Sequence, residues 1–164
     1  MKLKLNVNGK EYDLEIEDRK LLVDVIREDL ALKGTHIGCD TTDCGACTVL
    51  LDDRPVKSCT VLAAQASGHK VTTLEGLSRS KEMKILQKSF VDNQALQCGF
   101  CTSGMLISSY ALLKKNKKPG ELEIREALSG NLCRCTGYQG IVKSISEASK
   151  EIEKTQEKIT EVAR

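Results

Sequence analysis

The sequence has no tryptophan, only 3 % aromatic residues and two prolines among its 164 residues. A core must therefore be built mainly from Leu, Ile, Val and Ala. No stretch approaches the run of about 20 apolar residues that a membrane span needs. The opening segment MKLKLNVNGK alternates charged and apolar residues and lacks the continuous apolar core of a secretion signal. We therefore expect a cytoplasmic protein without a membrane span.

The net charge is also small, and the sequence has few histidines. The formal net charge is +2, which gives no case for a nucleic-acid or membrane partner. The two histidines, His36 and His69, are isolated in the sequence and are interpreted as non-ligands. No grouping of residues resembles a general base or nucleophile constellation. We therefore expect no catalytic residue and no substrate chemistry on this chain alone.

What the sequence does have is eight cysteines. In a chain without a secretion signal, that number favours metal binding over a disulfide framework. The cysteines form two groups of four, separated by 38 residues without cysteine. The first group is Cys39, Cys44, Cys47 and Cys59, and the second is Cys98, Cys101, Cys133 and Cys135. Two metal sites in two regions is the simplest interpretation.

The first region, residues 1–77, is predicted to be a small sheet covered by one helix. Apolar residues from Leu3 to Val7 alternate with polar ones, as on a half-buried strand. Asn8-Gly9 is a strong hairpin signal. Further strands are predicted at 12–16, 48–51, 56–57 and 71–73, and the helix at 20–30.

The second region, residues 78–164, is predicted to be all helix. Thr102 or Ser103 is expected to cap one helix. Gly130 stands where a residue in the left-handed conformation would end another. The predicted helices span 80–92, 102–113, 121–128 and a long segment that begins near residue 139.

The first cysteine group lies on a loop with an informative spacing. Residues 38–47 read GCDTTDCGAC, which is Cys-x4-Cys-x2-Cys. Plant-type 2Fe–2S ferredoxins have this spacing, with a fourth thiolate arriving from elsewhere. Gly38 and Gly45 are expected to allow close backbone approach and positive φ angles. Zinc is the alternative, but zinc sites usually use paired Cys-x2-Cys knuckles, so the spacing favours iron–sulfur.

The second cysteine group is less specific. Residues 97–104 read QCGFCTSG, and residues 130–138 read GNLCRCTGY. Each pair is predicted to lie at a helix terminus, where free N–H groups favour a negative cluster. A zinc site stays an alternative for this pattern alone. Arg134 either places a positive charge beside the cluster or is an ordinary surface residue.

Taken together, GCDTTDCGAC, QCGFCT and NLCRCTGY in this order resemble the small iron–sulfur subunit of the xanthine oxidase family of molybdenum hydroxylases. That family includes aldehyde oxidoreductases, carbon monoxide dehydrogenases and 4-hydroxybenzoyl-CoA reductases. The resemblance implies an α+β chain with two 2Fe–2S clusters. It places a β-grasp, plant-type ferredoxin-like domain over residues 1–77 and a four-helix-bundle domain over residues 78–164.

The resemblance also implies partners. A large subunit would hold molybdopterin, in bacteria usually as the cytosine dinucleotide, and a medium subunit would hold FAD. Family residues matching Gln97 and Cys135 approach the pterin. This chain would relay single electrons between the molybdopterin centre and FAD or another acceptor. The family's Thr-Pro-Gly is Thr102-Ser103-Gly104 here, and we expect ligation to be intact despite this departure.

Two other functions compete with that interpretation. A stand-alone soluble ferredoxin-type electron carrier is the first alternative, but such a carrier needs only the first region of this chain. A structural zinc protein is the second alternative. The colour of the purified protein distinguishes a zinc protein from an iron–sulfur protein, because zinc thiolates are colourless and 2Fe–2S centres are red-brown.

Overall fold

A five-stranded mixed sheet occupies the first half of the chain. The structure is a computed structural model that describes residues 1–162, with side chains described up to residue 157. The sheet order is β2-β1-β5-β3-β4. The β1–β5 pair is parallel and the other pairs are antiparallel. The strands are β1 (Lys2–Val7), β2 (Lys10–Glu15), β3 (Thr48–Leu51), β4 (Arg54–Lys57) and β5 (Lys70–Thr72).

The predicted hairpin is confirmed. Leu3 pairs with Leu14, and Val7 pairs with Lys10, across a two-residue turn. Asn8 has φ 55° and Gly9 has φ 80°. Two positive φ angles in succession define the turn whose twist matches that of the flanking strands.

The helix predicted at 20–30 is shorter and wider than expected. It comprises α1 (Leu22–Asp24) and a π-helical turn (Val25–Asp29) closed by the Leu30 N–H donating to the Val25 carbonyl at 3.0 Å. The chain before Leu22 is extended, because Leu21 forms an isolated β-bridge with Leu62. This short helix buries its apolar residues against the sheet, which completes the β-grasp core.

The second half of the chain is a four-helix bundle, as predicted. A short helix, α2 (Leu74–Leu77), links it to the sheet. Phe90, Met105, Ile107, Ile124 and Ile141 are buried at its centre. Among residues 1–162, no helix is both long and apolar enough to cross a membrane. The bundle helices are α3 (Lys81–Asp92), α4 (Thr102–Lys115), α5 (Glu121–Ala127) and α6 (Gln139–Val162). Residues 163–164 of the predicted second region lie outside the described residues.

Two predicted helix ends are wrong. Cys101, not Thr102 or Ser103, is the N-cap residue of α4, and neither hydroxyl has a hydrogen-bond partner among the described residues. Gly130 does not have a positive φ angle. The chain leaves α5 through tight turns instead, in which the Asn131 N–H donates to the Leu128 carbonyl at 2.8 Å. Such turns do not require the left-handed conformation.

The sheet and the bundle meet where two backbones touch. A Cβ atom on Gly104 of α4 would lie 2.1 Å from the Gly45 carbonyl oxygen, and one on Gly45 would lie 2.2 Å from the Gly130 carbonyl oxygen. Asn131 donates from Nδ2 to that Gly45 carbonyl at 3.0 Å and accepts from Ser108 Oγ at 2.7 Å. Only glycine permits this approach, which places the first cysteine loop on the bundle.

Replacing Gly104 with alanine is expected to destabilise the cluster-loaded protein. The added methyl group would overlap the Gly45 carbonyl, and overpacking costs about 1–3 kcal/mol. That cost exceeds the gain of about 1 kcal/mol in helix propensity. The measurement is a thermal unfolding midpoint. Gly130→Ala is the matched control, because its Cβ would meet only the Lys57 side chain at an ordinary 3.6 Å. Equal midpoints for both variants would contradict the prediction.

Candidate metal centres

Strand pairing gathers the first cysteine group. Cys47 directly precedes β3, and Cys59 lies in a 3-10 turn (Ser58–Thr60) just after β4. Because Thr48 pairs with Lys57, the start of one strand lies beside the end of the other. Ser58 secures this corner, since its N–H and its Oγ both donate to the Cys47 carbonyl, at 3.3 Å and 2.7 Å.

The thiols of the first group lie as two pairs. Cys39 and Cys44 interact through their side chains, as do Cys47 and Cys59. The Cys44 N–H also donates to Cys39 Sγ at 3.4 Å. Gly45 turns the chain between the pairs with φ 67°, as predicted, whereas the φ angle of Gly38 is not positive.

A lysine holds the outer part of this loop. Thr42 has φ 67°, a conformation that is strained for a β-branched residue. The Lys57 ammonium donates to the Thr42 carbonyl and, at 3.4 Å, to the Asp43 carbonyl. Lys57 is the last residue of β4 and lies two residues before Cys59, so it ties the loop to the strand that leads to the fourth thiol. Sequence reasoning missed Lys57, because nothing local connects it with residues fifteen positions away.

Two interhelical loops supply the second group. Cys98 and Cys101 lie between α3 and α4, and Cys133 and Cys135 lie between α5 and α6. The Sγ atoms of Cys98 and Cys135 are 3.6 Å apart, and Cys101 interacts with Cys133 through its side chain. The predicted helix-terminal position is right for Cys101. It is wrong for Cys133 and Cys135, which precede α6 by several residues.

Hydrogen bonds shape the loop that carries Cys133. Tyr138 Oη accepts from the Cys133 N–H at 2.8 Å and donates to the Asn131 carbonyl at 3.1 Å. Thr136 Oγ1 donates to Cys133 Sγ at 3.1 Å and accepts from the Tyr138 N–H at 3.2 Å. Both side chains lie inside the motif NLCRCTGY, but sequence reasoning assigned them no role. Their proximity to Cys133 in the motif was the available signal.

The thiols differ strongly in acidity. Burial raises the pKa of Cys59 and of Cys101 to about 12. The backbone N–H of Cys44 lowers the pKa of Cys39 to about 6. A buried thiolate needs a cation to compensate its charge. Metal ligation supplies this cation and displaces the thiol protons.

The arrangement fits binuclear iron–sulfur clusters. All eight cysteines lie within the described residues, and none forms a disulfide. Among residues 1–157, whose side chains the structure describes, no three Cys, His, Asp or Glu side chains are close enough to share one metal ion. A 2Fe–2S cluster distributes four thiolates over two irons, which matches two pairs in each group. A mononuclear zinc site would need its thiols around a single point.

The two loops are in direct contact. The Leu132 N–H donates to the Cys44 carbonyl at 2.9 Å. Phe100 lies between Cys98 and Cys101 in the sequence. Its ring stacks on His36 with ring centroids 4.7 Å apart, and His36 Nδ1 lies 2.8 Å from the Phe100 carbonyl oxygen. The Phe100 ring also lies 3.2 Å from where a Gly38 Cβ would be. A residue of the second motif therefore covers part of the first loop.

The two residues predicted to contact a pterin are neighbours. Gln97 Nε2 donates to the Cys135 carbonyl at 3.1 Å, and both residues are exposed. Of the two histidines interpreted as non-ligands, His69 pairs with Asp52 at 2.5 Å, away from the thiols. Arg134 is exposed.

Comparison with known proteins agrees with this geometry. A model of the "2Fe-2S iron-sulfur cluster binding domain" matches residues 5–74, and a model of the "[2Fe-2S] binding domain" matches residues 73–146. The 6-hydroxypseudooxynicotine dehydrogenase complex subunit beta of Paenarthrobacter nicotinovorans is 47 % identical over 90 % of this chain and 92 % of its own length.

Solved structures show the same fold. A chain of quinoline 2-oxidoreductase from Pseudomonas putida 86 superposes with a TM-score of 0.86 and 46 % identity, over 92 % of this chain and 94 % of that chain. Aldehyde oxidoreductase from Desulfovibrio gigas superposes with a TM-score of 0.86 and 35 % identity, over 94 % of this chain but only 17 % of that chain.

The fold and the paired thiols define an α+β, two-cluster iron–sulfur protein with a ferredoxin-like sheet and a helical bundle. With these matches, the chain belongs to the family of small iron–sulfur subunits of the molybdenum hydroxylases. It is the electron-transfer component of an oxidoreductase of that family.

Replacing Lys57 with methionine is expected to loosen the first cluster selectively. The variant loses the ammonium that binds the carbonyls of the strained loop. A charge-assisted hydrogen bond is worth about 1.5 kcal/mol, so iron release to a chelator should become roughly tenfold faster. Low-temperature EPR during chelation identifies which cluster is lost. Lys70→Met is the control, because the Lys70 ammonium has no hydrogen bond within the described residues. Equal acceleration at both clusters would contradict this role.

Proposed function

We propose that each cysteine group holds one 2Fe–2S cluster and that each thiol pair binds one iron. The observation that carries this proposal is the two-by-two arrangement of the thiols. The first cluster is held by Cys39 with Cys44 and Cys47 with Cys59, and the second by Cys98 with Cys135 and Cys101 with Cys133. When bound, the clusters accept and donate single electrons. The proposed division of the chain, into residues 1–77 and 78–164, assigns one cluster to each domain.

The contact between the loops supports a relay within this chain. Leu132 is covalently bonded to Cys133, and its N–H donates to the carbonyl of Cys44. One hydrogen bond therefore joins a ligand residue of the first cluster to the neighbour of a ligand in the second. A short path of covalent bonds and one hydrogen bond suits electron tunnelling, whose rate falls steeply with distance.

The exposed side of the second group suits a large molybdopterin-binding subunit. Cys98 and Cys135 are exposed, and the same two loops carry the apolar side chains of Phe100 and Leu132, which are 47 % and 55 % exposed. Exposed apolar residues beside a functional group are typical of an interface. Gln97, bonded to the Cys135 carbonyl, would contact the pterin there, in its cytosine dinucleotide form.

The relatives support such an assembly. The P. nicotinovorans protein is a subunit of a dehydrogenase complex, and the equivalent region of the D. gigas enzyme is a small part of a longer oxidoreductase chain. We propose that this chain works with a large molybdopterin subunit and a medium FAD subunit in the cytoplasm. The first cluster would lie toward FAD. The stand-alone carrier is not favoured, because it leaves the second cysteine group without a use.

Isolation of the native assembly tests the partnership. Affinity purification of the tagged chain from its own host is expected to recover a larger chain with molybdenum and pterin in a fixed ratio. FAD with a third chain would support the medium subunit. Recovery of the chain alone, with its clusters loaded, would instead support the stand-alone carrier.

Cys44→Ser is expected to damage the first cluster while sparing the second. Serine retains the size of the side chain but replaces the thiolate of one iron by a poorer ligand. The variant should lose about two of its four irons and one EPR signal. Cys98→Ser is the matched variant for the other cluster. Loss of both signals in each variant would contradict the assignment of separate sites.

A further inference from the structure

One ligand thiol accepts a hydrogen bond from a hydroxyl group that the surrounding loop holds in place. Thr136 Oγ1 donates to Cys133 Sγ at 3.1 Å. The Tyr138 N–H donates to the same Thr136 oxygen at 3.2 Å. A threonine hydroxyl has one hydrogen to donate, and here that hydrogen is directed to the sulfur while a lone pair accepts from Tyr138.

The turn after Thr136 is built at a conformational cost. Gly137 has φ 64° and Tyr138 has φ 68°, and a bulky residue with positive φ is uncommon and strained. The turn brings the Tyr138 N–H back to Thr136 and the Tyr138 hydroxyl to the Cys133 N–H at 2.8 Å. Both bonds fix the position of Thr136 relative to the Cys133 sulfur.

We propose that the Thr136 hydroxyl raises the reduction potential of the second cluster by donating to the Cys133 thiolate. This proposal rests on the ligand assignment made above. One-electron reduction adds a negative charge to the cluster, part of which resides on the ligand sulfurs. A donor aimed at one of those sulfurs stabilises the reduced form more than the oxidised form. Hydrogen bonds to cluster sulfurs are among the factors that set the potential.

The position of Cys133 gives this effect a consequence for the relay. Its neighbour Leu132 makes the hydrogen bond to the Cys44 carbonyl. The thiolate that Thr136 stabilises therefore lies one residue from a backbone hydrogen bond that joins the two loops. A higher potential at the second cluster favours its acceptance of electrons and opposes their passage to the first cluster. Thr136 is thus a positioning and tuning residue for the step between the clusters.

EPR-monitored redox titration of the intact cluster-loaded protein tests the proposal. Thr136→Val removes the hydroxyl at nearly constant shape. We expect the equilibrium constant for reduction of the second cluster to fall by up to roughly tenfold, because the shift equals the difference in strength of this hydrogen bond between the reduced and oxidised forms. A tenfold change corresponds to about 59 mV for one electron. The first cluster, measured in the same sample, should keep its potential.

Further variants distinguish an effect of the Thr136 hydroxyl on the reduction potential from a structural role of Thr136 in the turn. Thr136→Ser retains the hydroxyl and should keep the second potential close to that of the unmodified protein. Thr41→Val makes the same substitution beside Cys39 and should leave the second potential unchanged. Thr136→Ala removes the hydroxyl without adding a methyl group and should reproduce the fall if the valine variant loads iron poorly.

The outcomes are distinct. A lower second potential in the valine or alanine variant, with the serine variant unchanged, supports the proposal. An unchanged second potential in a variant that has lost the hydroxyl and carries full iron overturns it. An equal fall in the serine variant also overturns it, because the effect then belongs to the turn. Absence of a second cluster from the unmodified protein would instead contradict the ligand assignment.

Discussion

The relative placement of the two cysteine groups depends on the contact between the backbone of the first cysteine loop and the N-terminal turn of α4. The Gly45 carbonyl lies against Gly104 and accepts a hydrogen bond from Asn131 Nδ2. A side chain on either glycine would separate the sheet from the bundle. Because Cys44 and Gly45 are consecutive, the same contact places a proposed ligand of the first cluster beside the loop that carries Cys133. Packing between the two halves and electron transfer between the two clusters thus rest on one interface.

The chemistry of the thiols follows from where the fold places them. Strand pairing buries Cys47 beside Cys59, and helix packing half-buries Cys101. In such places a free thiolate is unfavourable, as the raised pKa values of Cys59 and Cys101 show, and ligation to iron removes that penalty. Cys98 and Cys135 remain exposed. A second cluster held by the proposed ligands would consequently be open on one side, and this is the side on which a partner would have to bring its own redox centre.

Much of the fold and all eight candidate ligands could be predicted from the sequence, because their signals are local. Alternating apolar residues and Asn8-Gly9 predict the hairpin, and Cys-x4-Cys-x2-Cys predicts the cluster loop. Some errors concern local backbone geometry, such as the N-cap of α4 and the conformation of Gly130, and the others concern interactions between distant segments. Because Leu21 forms a β-bridge with Leu62, the first helix begins at Leu22 and not at residue 20 as predicted. Lys57 and Phe100 contact the first loop from elsewhere in the chain. No local sequence pattern predicts a contact between residues more than sixty positions apart, such as that between His36 and Phe100.

The most direct test is low-temperature EPR of the dithionite-reduced protein, prepared anaerobically, beside a chemical count of iron and sulfide. We expect about four irons and four sulfides per chain and two distinct S = 1/2 signals, because two 2Fe–2S clusters in different surroundings must differ in potential and spectrum. A colourless protein that contains zinc, or one that binds no iron after careful reconstitution, would contradict the two-cluster relay.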